Sequence, residues 1–345
     1  MSDQLPVLAL TTGDPAGVGP EIVVKSLAEG SWAGRLVPVV IGDASIVEQV
    51  VEGCRLDVKV RAITAPEQAT ATPGVVDVLD CGVVDKVAYG AVDATAGKAA
   101  ISYIERACEL AREGQVDGLV TGPINKEAIW AAGSRFPGHT EMLAHLFGVP
   151  EQNAVTMFML GKMKIFFLTR HHSLRDAVDK LDEDMIARFL SRVQEVIGDL
   201  GVTNPYLALA ALNPHGGENG NLGLEERDIL APGVAKAREA GVNVVGPVPA
   251  DAVFYQALQG KYDGVIALHH DQGHIAAKTV DFFGTVACEL GLPVIRTTVD
   301  HGTAFDIAGK WQADAHGQTA ALLAAAELAP LVLASRGRRQ RTSER

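Results

Sequence analysis

Cysteine is scarce in this chain and never paired. Cys54, Cys81, Cys108 and Cys288 are the only four in 345 residues, with no Cys-x-x-Cys spacing. That excludes a disulfide framework and a zinc knuckle, and it suits reduced thiols. Positive charge is also in deficit, with 30 Lys and Arg against 42 Asp and Glu and a formal net charge of −12. A nucleic-acid groove is therefore not expected, although a local basic pocket can sit in an acidic protein. No apolar run is built to span a bilayer: residues 319–334 (TAALLAAAELAPLVLA) are broken by Glu327 and Pro330 and read as a buried Ala-rich helix. The opening MSDQLPVLAL has no basic n-region. No secretory signal is read there, no membrane partner is expected, and the expected location is the cytoplasm. A dinucleotide fingerprint of the form GxGxxG is absent, as is any repeat of solenoid length.

What is present is a compact α/β pattern. Hydrophobic residues make up 48% of the chain and mean hydropathy is +0.15, values of a folded chain rather than a disordered one. Strand-like runs (VLALTT, VPVVIG, GLVTG) alternate with helical patterns at about residues 20–28, 44–51, 94–112, 141–147, 182–200 and 232–240. Such alternation predicts a mostly parallel or mixed sheet covered by helices. The length predicts two domains. The expected division is residues 1–124 with 301–334 as a discontinuous first α/β domain and 125–300 as the second. Residues 335–345 (SRGRRQRTSER) read as a basic flexible tail.

Three apolar runs lead into histidines: KIFFLTR into His171, LALAALNP into His215 and GVIALH into His270. A lone histidine after a strand is more often a hydrogen-bonded loop residue. Three of them at the carboxyl ends of buried strands, where open α/β sheets bind ligands, predict one divalent metal site. Zn, Co, Mn, Ni or Mg are the candidate ions.

Two further segments carry chemistry. Gly13-Asp14-Pro15-Ala16-Gly17-Val18-Gly19-Pro20-Glu21 joins a strand to a helix, and His301-Gly302-Thr303-Ala304-Phe305-Asp306-Ile307 lies near the far end. Together they resemble the cofactor segments of the isopropylmalate and isocitrate dehydrogenase superfamily. That resemblance implies a two-domain α/β/α fold with the active site in the interdomain cleft. It makes Gly13, Asp14, Gly17, Gly19, His301, Gly302, Asp306 and Ile307 candidate NAD contacts. Asp306 would face the ribose hydroxyl and favour NAD over NADP.

A closer resemblance follows. TGDPAGVGPE, VTGPINKEAI, PGHTEML, HHSLRDA, NPHGGENG, GPVPADAVF, HHDQGHIAAK and GLPVIRTTVDHGTAFDIAG, spread over residues 8–314, resemble the 4-hydroxythreonine-4-phosphate dehydrogenase family. The resemblance implies an oxidoreductase of pyridoxine biosynthesis. It also implies a homodimer whose metal, zinc among the candidates, is shared between subunits and held by His171, His215 and His270. His139, Thr140, Lys278 and Arg296 would hold a substrate phosphate, a role that suits the planar fork of Arg and the point charge of Lys. Asp251 matches a residue near the substrate, and Asp251 and Lys126 are the candidates for proton transfer. One position departs from the pattern: Ala287 stands where the family has an Asn, with Asp281 and Glu289 as added acid nearby.

The expected reaction is a metal- and NAD-dependent oxidation of a phosphorylated four-carbon 3-hydroxy acid, with loss of carbon dioxide. The Ala287 departure brings in 4-phospho-D-threonate or 4-phospho-D-erythronate as alternative substrates. Another diol or hydroxy-acid dehydrogenase, a zinc hydrolase and a catalytically lapsed binding protein are the remaining readings.

Overall fold

Short runs of Val, Ile, Leu and Ala, buried on both faces, set the architecture, since such runs form the strands of parallel sheets. The structure, a computed structural model, describes residues 4–343. Its contacts divide the chain into two units, residues 1–154 with 289–333 and residues 155–288 with 334–345.

The first unit opens with β1 (Val7–Thr11), α1 (Gly19–Ala28), β2 (Val37–Gly42), α2 (Ala44–Cys54), β3 (Lys59–Ile63) and β4 (Val75–Asp80). It continues with α3 (Ala94–Arg112), β5 (Gly118–Thr121), α4 (Lys126–Ala131) and α5 (His139–Phe147). The second holds β6 (Val155–Leu160), β7 (Met163–Phe167), α6 (Leu174–Asp179), α7 (Glu183–Asp199), β8 (Leu207–Ala210), α8 (Ala231–Glu239), β9 (Val244–Val248), α9 (Ala250–Leu258), β10 (Gly264–Ala267) and α10 (His270–Val280). β11 (Val286–Leu290) returns the chain to the first unit, where β12 (Ile295–Thr298) and α11 (His316–Ser343) as far as Leu333 follow, the rest of that helix counting with the second unit.

Within the first unit the strand order is β3-β4-β2-β1-β5-β12, and every adjacent pair is parallel. Within the second it is β6-β7-β10-β8-β9. There β6 and β7 form an antiparallel hairpin, and the other pairs are parallel. The α/β class read from the sequence holds.

The contact boundaries fall later than the sequence predicts at the first crossing and earlier at the return. α4 and α5 belong to the first unit because Ile129, Met142 and Leu143 bury into the same cluster as Tyr103, Ile104 and Leu119. Gly97 makes the approach of α4 possible: a Cβ there would lie 2.1 Å from the Ala128 carbonyl oxygen.

The segment read as a flexible tail continues α11 as far as Ser343, and Ser335 Oγ donates to Asp199 Oδ1 at 2.6 Å. The last part of that reading, residues 344–345, lies outside the described residues. The stretch His316–Gly337 is long and apolar enough to cross a bilayer by composition. Its Ala321, Leu322, Ala325 and Ala329 are fully buried, as in a core helix.

Candidate active site

In the second unit β10 lies between β7 and β8, with Ala267 paired to Phe167 and Ile266 to Leu209. The three strands run parallel and end on one edge. His171, His215 and His270 each follow within five residues of a strand end. His171 and His270 have ring centroids 6.4 Å apart. Among the described residues, no three His, Cys, Asp or Glu side chains are gathered closely enough to hold one ion. The edge is shared, then, but the coordination cluster is not formed.

The donors still fit a divalent cation. His270 Nδ1 meets Asp271 Oδ1 at 2.7 Å, and His215 Nδ1 meets Glu218 Oε1 at 2.9 Å. A carboxylate on Nδ1 fixes the tautomer and leaves Nε2 as the ligating nitrogen, the usual support of a metal-bound imidazole. The hydrogen bond from His270 holds the Asp271 carboxyl below its ordinary range.

His215 is aimed by an unusual loop. It and the next four residues all have positive φ: His215 53°, Gly216 70°, Gly217 78°, Glu218 46° and Asn219 57°. Non-glycine residues there cost about 1–2 kcal/mol each. Buried Glu226 pins the loop by accepting from the backbone N–H groups of Leu212 and Asn213 at 2.9 and 2.6 Å. Gly217 has no room for a Cβ, which would lie 2.7 Å from Glu226 Oε2.

Two of the neighbouring histidines, His269 and His274, are held in structural contacts. His269 caps α10 by accepting from the Gln272 N–H, and burial lowers its pKa. His274 stacks on His270 with centroids 3.6 Å apart and packs on Phe158 and Phe167. His172 is exposed and, with His171, Arg170 and Lys180, lines a cavity of about 450 Å³. Asp251 is exposed in the first turn of α9. The Lys278 ammonium lies 5.0 Å from the Phe282 ring centroid.

In the first unit, Thr140 and Arg296 are tied into one polar group through Glu289, with His139 close enough to feel the Arg296 charge. α5 starts at His139 after Gly138, which provides no side-chain cap. Its first backbone N–H groups suit an anion. His139 Nε2 is buried with no hydrogen-bond partner among the described residues. Burial, with a smaller push from Arg296, holds the imidazole well below its ordinary pKa and therefore neutral.

Arg296 donates from Nε and Nη2 to Thr121 Oγ1 at 2.9 and 2.8 Å. Its Nη1 lies 3.8 Å from Glu289 Oε2, which also accepts from Thr140 Oγ1 at 3.0 Å. Lys126 is exposed and sits beside this group: its Cε is 4.0 Å from where a Cβ on Gly138 would lie. Thr121 and the bridging part of Glu289 are not legible as site residues in the sequence. Glu289 shows there only as acid near Ala287.

The two cofactor-like segments also meet in the first unit. Val18 N–H donates to the Thr303 carbonyl at 3.0 Å, and Val18, Ile22, Val299 and Ala308 share one apolar cluster that Ile307 joins. The glycines of the first segment are filled by protein. A Cβ on Gly13 would lie 2.3 Å from the Pro123 carbonyl oxygen, one on Gly17 2.8 Å from Thr303 Cβ, and one on Gly19 2.1 Å from the Thr12 carbonyl oxygen. Their close approach is thus to the chain itself.

Asp14 is fully buried, and Oδ1 accepts from the Ala16 N–H at 2.9 Å. Its Oδ2 has no partner among the described residues. Desolvation raises its pKa to about 6. A cofactor fits the second segment better. A Cβ on Gly302 would meet open space, His301 and Asp306 are exposed, and the Asp306 carboxylate can accept a ribose hydroxyl.

Comparison with known proteins agrees with this framework. The sequence matches the family described as pyridoxal phosphate biosynthetic protein PdxA over residues 35–325. It is 47% identical over 330 residues to a putative D-threonate 4-phosphate dehydrogenase of Cutibacterium acnes, covering 95% of each chain. A crystal structure of 4-hydroxythreonine-4-phosphate dehydrogenase from Klebsiella pneumoniae superposes with a TM-score of 0.87 at 41% identity, covering 94% of this chain and 99% of that one. A terephthalate 1,2-cis-dihydrodiol dehydrogenase from Burkholderia xenovorans superposes with a TM-score of 0.61 at 30% identity, covering 96% and 99%. Matched along most of its length, with both motif-bearing units represented, the chain belongs to the PdxA family.

Proposed function

We propose that the protein is a dehydrogenase, dependent on NAD and a divalent metal, that oxidises a secondary alcohol in a phosphorylated four-carbon hydroxy acid, with D-threonate 4-phosphate as the favoured substrate. The observation that carries this reading is the alignment of three histidines on one strand edge, two of them oriented through Nδ1 by carboxylates. The relative that is 47% identical, named for D-threonate 4-phosphate, supports the four-carbon acid, as does Ala287 in place of the family Asn.

When bound, NAD supplies the hydride acceptor and the divalent ion supplies a Lewis-acid field at the alcohol oxygen. The chain itself binds and orients. His171, His215 and His270 are the proposed metal ligands. His139, Thr140, Arg296 and Lys278 take the phosphate, with Lys126 adding charge at the α5 end of that group. Asp251 is assigned to receive the alcohol proton. Lys126 is also the assigned donor that returns a proton to carbon after carbon dioxide leaves. Asp306 and Gly302 are assigned to the adenosine side of NAD.

A homodimer belongs to the same reading. Among the described residues, eight large apolar side chains of the second unit are exposed, including Leu174, Tyr255, Ile275, Phe282 and Phe283, and exposed apolar side chains support an interface where they gather into one patch.

The test is NADH formation from four-carbon hydroxy acids, with and without a terminal phosphate, in several divalent ions. D-threonate 4-phosphate should be oxidised, and the unphosphorylated acid should lose at least about a hundredfold in kcat/KM. Equal turnover of both acids overturns the phosphate part, and turnover undiminished by a chelator overturns the metal part.

A further inference from the structure

The least expected member of the first unit's polar group is a carboxylate. Glu289 is 1% exposed, yet it shares one oxygen between the Thr140 hydroxyl and the Arg296 guanidinium. Arg296 is itself buried and anchored on Thr121. A buried carboxylate facing Arg296, inside a group that would receive an anion, is a selective device. An ionised carboxylate only accepts hydrogen bonds. Thr140, having given its one hydroxyl proton to Glu289, likewise offers only lone pairs. A tetrahedral anion without a proton would set oxygen against oxygen, whereas one that retains a proton can donate it.

We propose that Glu289 is a specificity-determining residue, which restricts the anion group of His139, Thr140 and Arg296 to oxyanions that carry a proton. The substrate phosphate then binds as its monoanion, with its hydroxyl donating to Glu289. Sulfate and sulfate esters are rejected although their shape and charge match. The buried, unpartnered His139 Nε2 and the uncapped start of α5 supply the remaining polar contacts. The inference rests on the phosphate-site reading above, and the two fail in different ways.

The experiment is calorimetric titration of the full chain with inorganic phosphate, arsenate and sulfate in mildly alkaline buffer at matched ionic strength. All three are then mainly dianions of similar shape, and only sulfate has no proton. Phosphate and arsenate should bind at least about tenfold more tightly than sulfate, the scale of one unsatisfied buried acceptor. Glu289→Gln, whose amide can donate, should bring sulfate within about threefold of phosphate. Sulfate binding the wild type as tightly as phosphate overturns the inference and leaves the phosphate site standing. Sulfate still excluded by a folded Glu289→Gln protein also overturns it. No binding of any of the three anions to the wild type overturns the phosphate-site reading itself, and the inference with it. If Glu289→Gln does not fold, the wild-type contrast between arsenate and sulfate still decides.

Discussion

In the first unit Arg296, Glu289 and Asp14 are buried and held by protein partners: Arg296 by Thr121 and Glu289, Glu289 by Thr140, and Asp14 by its own turn. In the second they stand in the open, and His215 and His270 each lean on one exposed carboxylate. A buried polar group must be satisfied or it destabilises the fold, so the first arrangement is part of the unit's stability. An exposed imidazole contributes little to folding and is available for ligands. The second unit also keeps most of the large exposed apolar side chains among the described residues. On the proposed reading, the first unit's anion group is held by its own contacts, while the second unit's exposed histidines and apolar side chains are left for an ion and a second copy.

That contrast can be broken most sharply at His215. His215→Ala should remove bound metal and reduce NADH formation by at least about a thousandfold, roughly 4 kcal/mol in the barrier. The unfolding midpoint should barely move. Metal analysis and thermal melting of one preparation check both halves, and retained metal or a lost fold would contradict the comparison.

Arg296→Met should do the opposite by damaging the fold as well as the site. Removing Arg296 takes a counter-charge from buried Glu289, at a cost of about 3–5 kcal/mol. Denaturant titration reads this directly, and a loss below about 1 kcal/mol would show that burial does not separate the two units as argued.

The third effect is a pH slope at Asp14. Its pKa rises from 3.8, ordinary for an aspartate, to about 6 through desolvation. The native state therefore holds the proton more tightly than the unfolded chain. The stabilisation is full below 3.8 and is lost as pH rises towards 6, up to about 3 kcal/mol in all. Asp14→Asn should flatten stability across that window, as measured by denaturant midpoints at several pH values.

The strand-to-histidine pattern was legible because alternating buried strands have a strong apolar signature and the register of β7, β10 and β8 follows from it. α3 was equally plain, because its apolar positions recur on one face over five turns. The unit boundary was not legible. Whether Ile129 and Met142 bury against Tyr103 or elsewhere depends on the missing Cβ of Gly97, and neighbours distant in sequence decide that. Gly13, Gly17 and Gly19 looked like a cradle for a ligand, but a sequence cannot tell a ligand's approach from that of Thr303, Thr12 or Pro123. The Glu289 bridge was hidden for a similar reason. Its partner Thr140 is 149 positions away in sequence, and no local pattern marks the pair.

The left-handed run from His215 to Asn219 also bears on engineering. A stabilisation campaign that scores backbone geometry will single out His215, Glu218 and Asn219 and suggest glycine at each. Those exchanges would relax the loop and raise the melting temperature. They would also discard the imidazole and the carboxylate that orients it, so on the proposed reading the hardiest variants would be the ones least able to keep an ion.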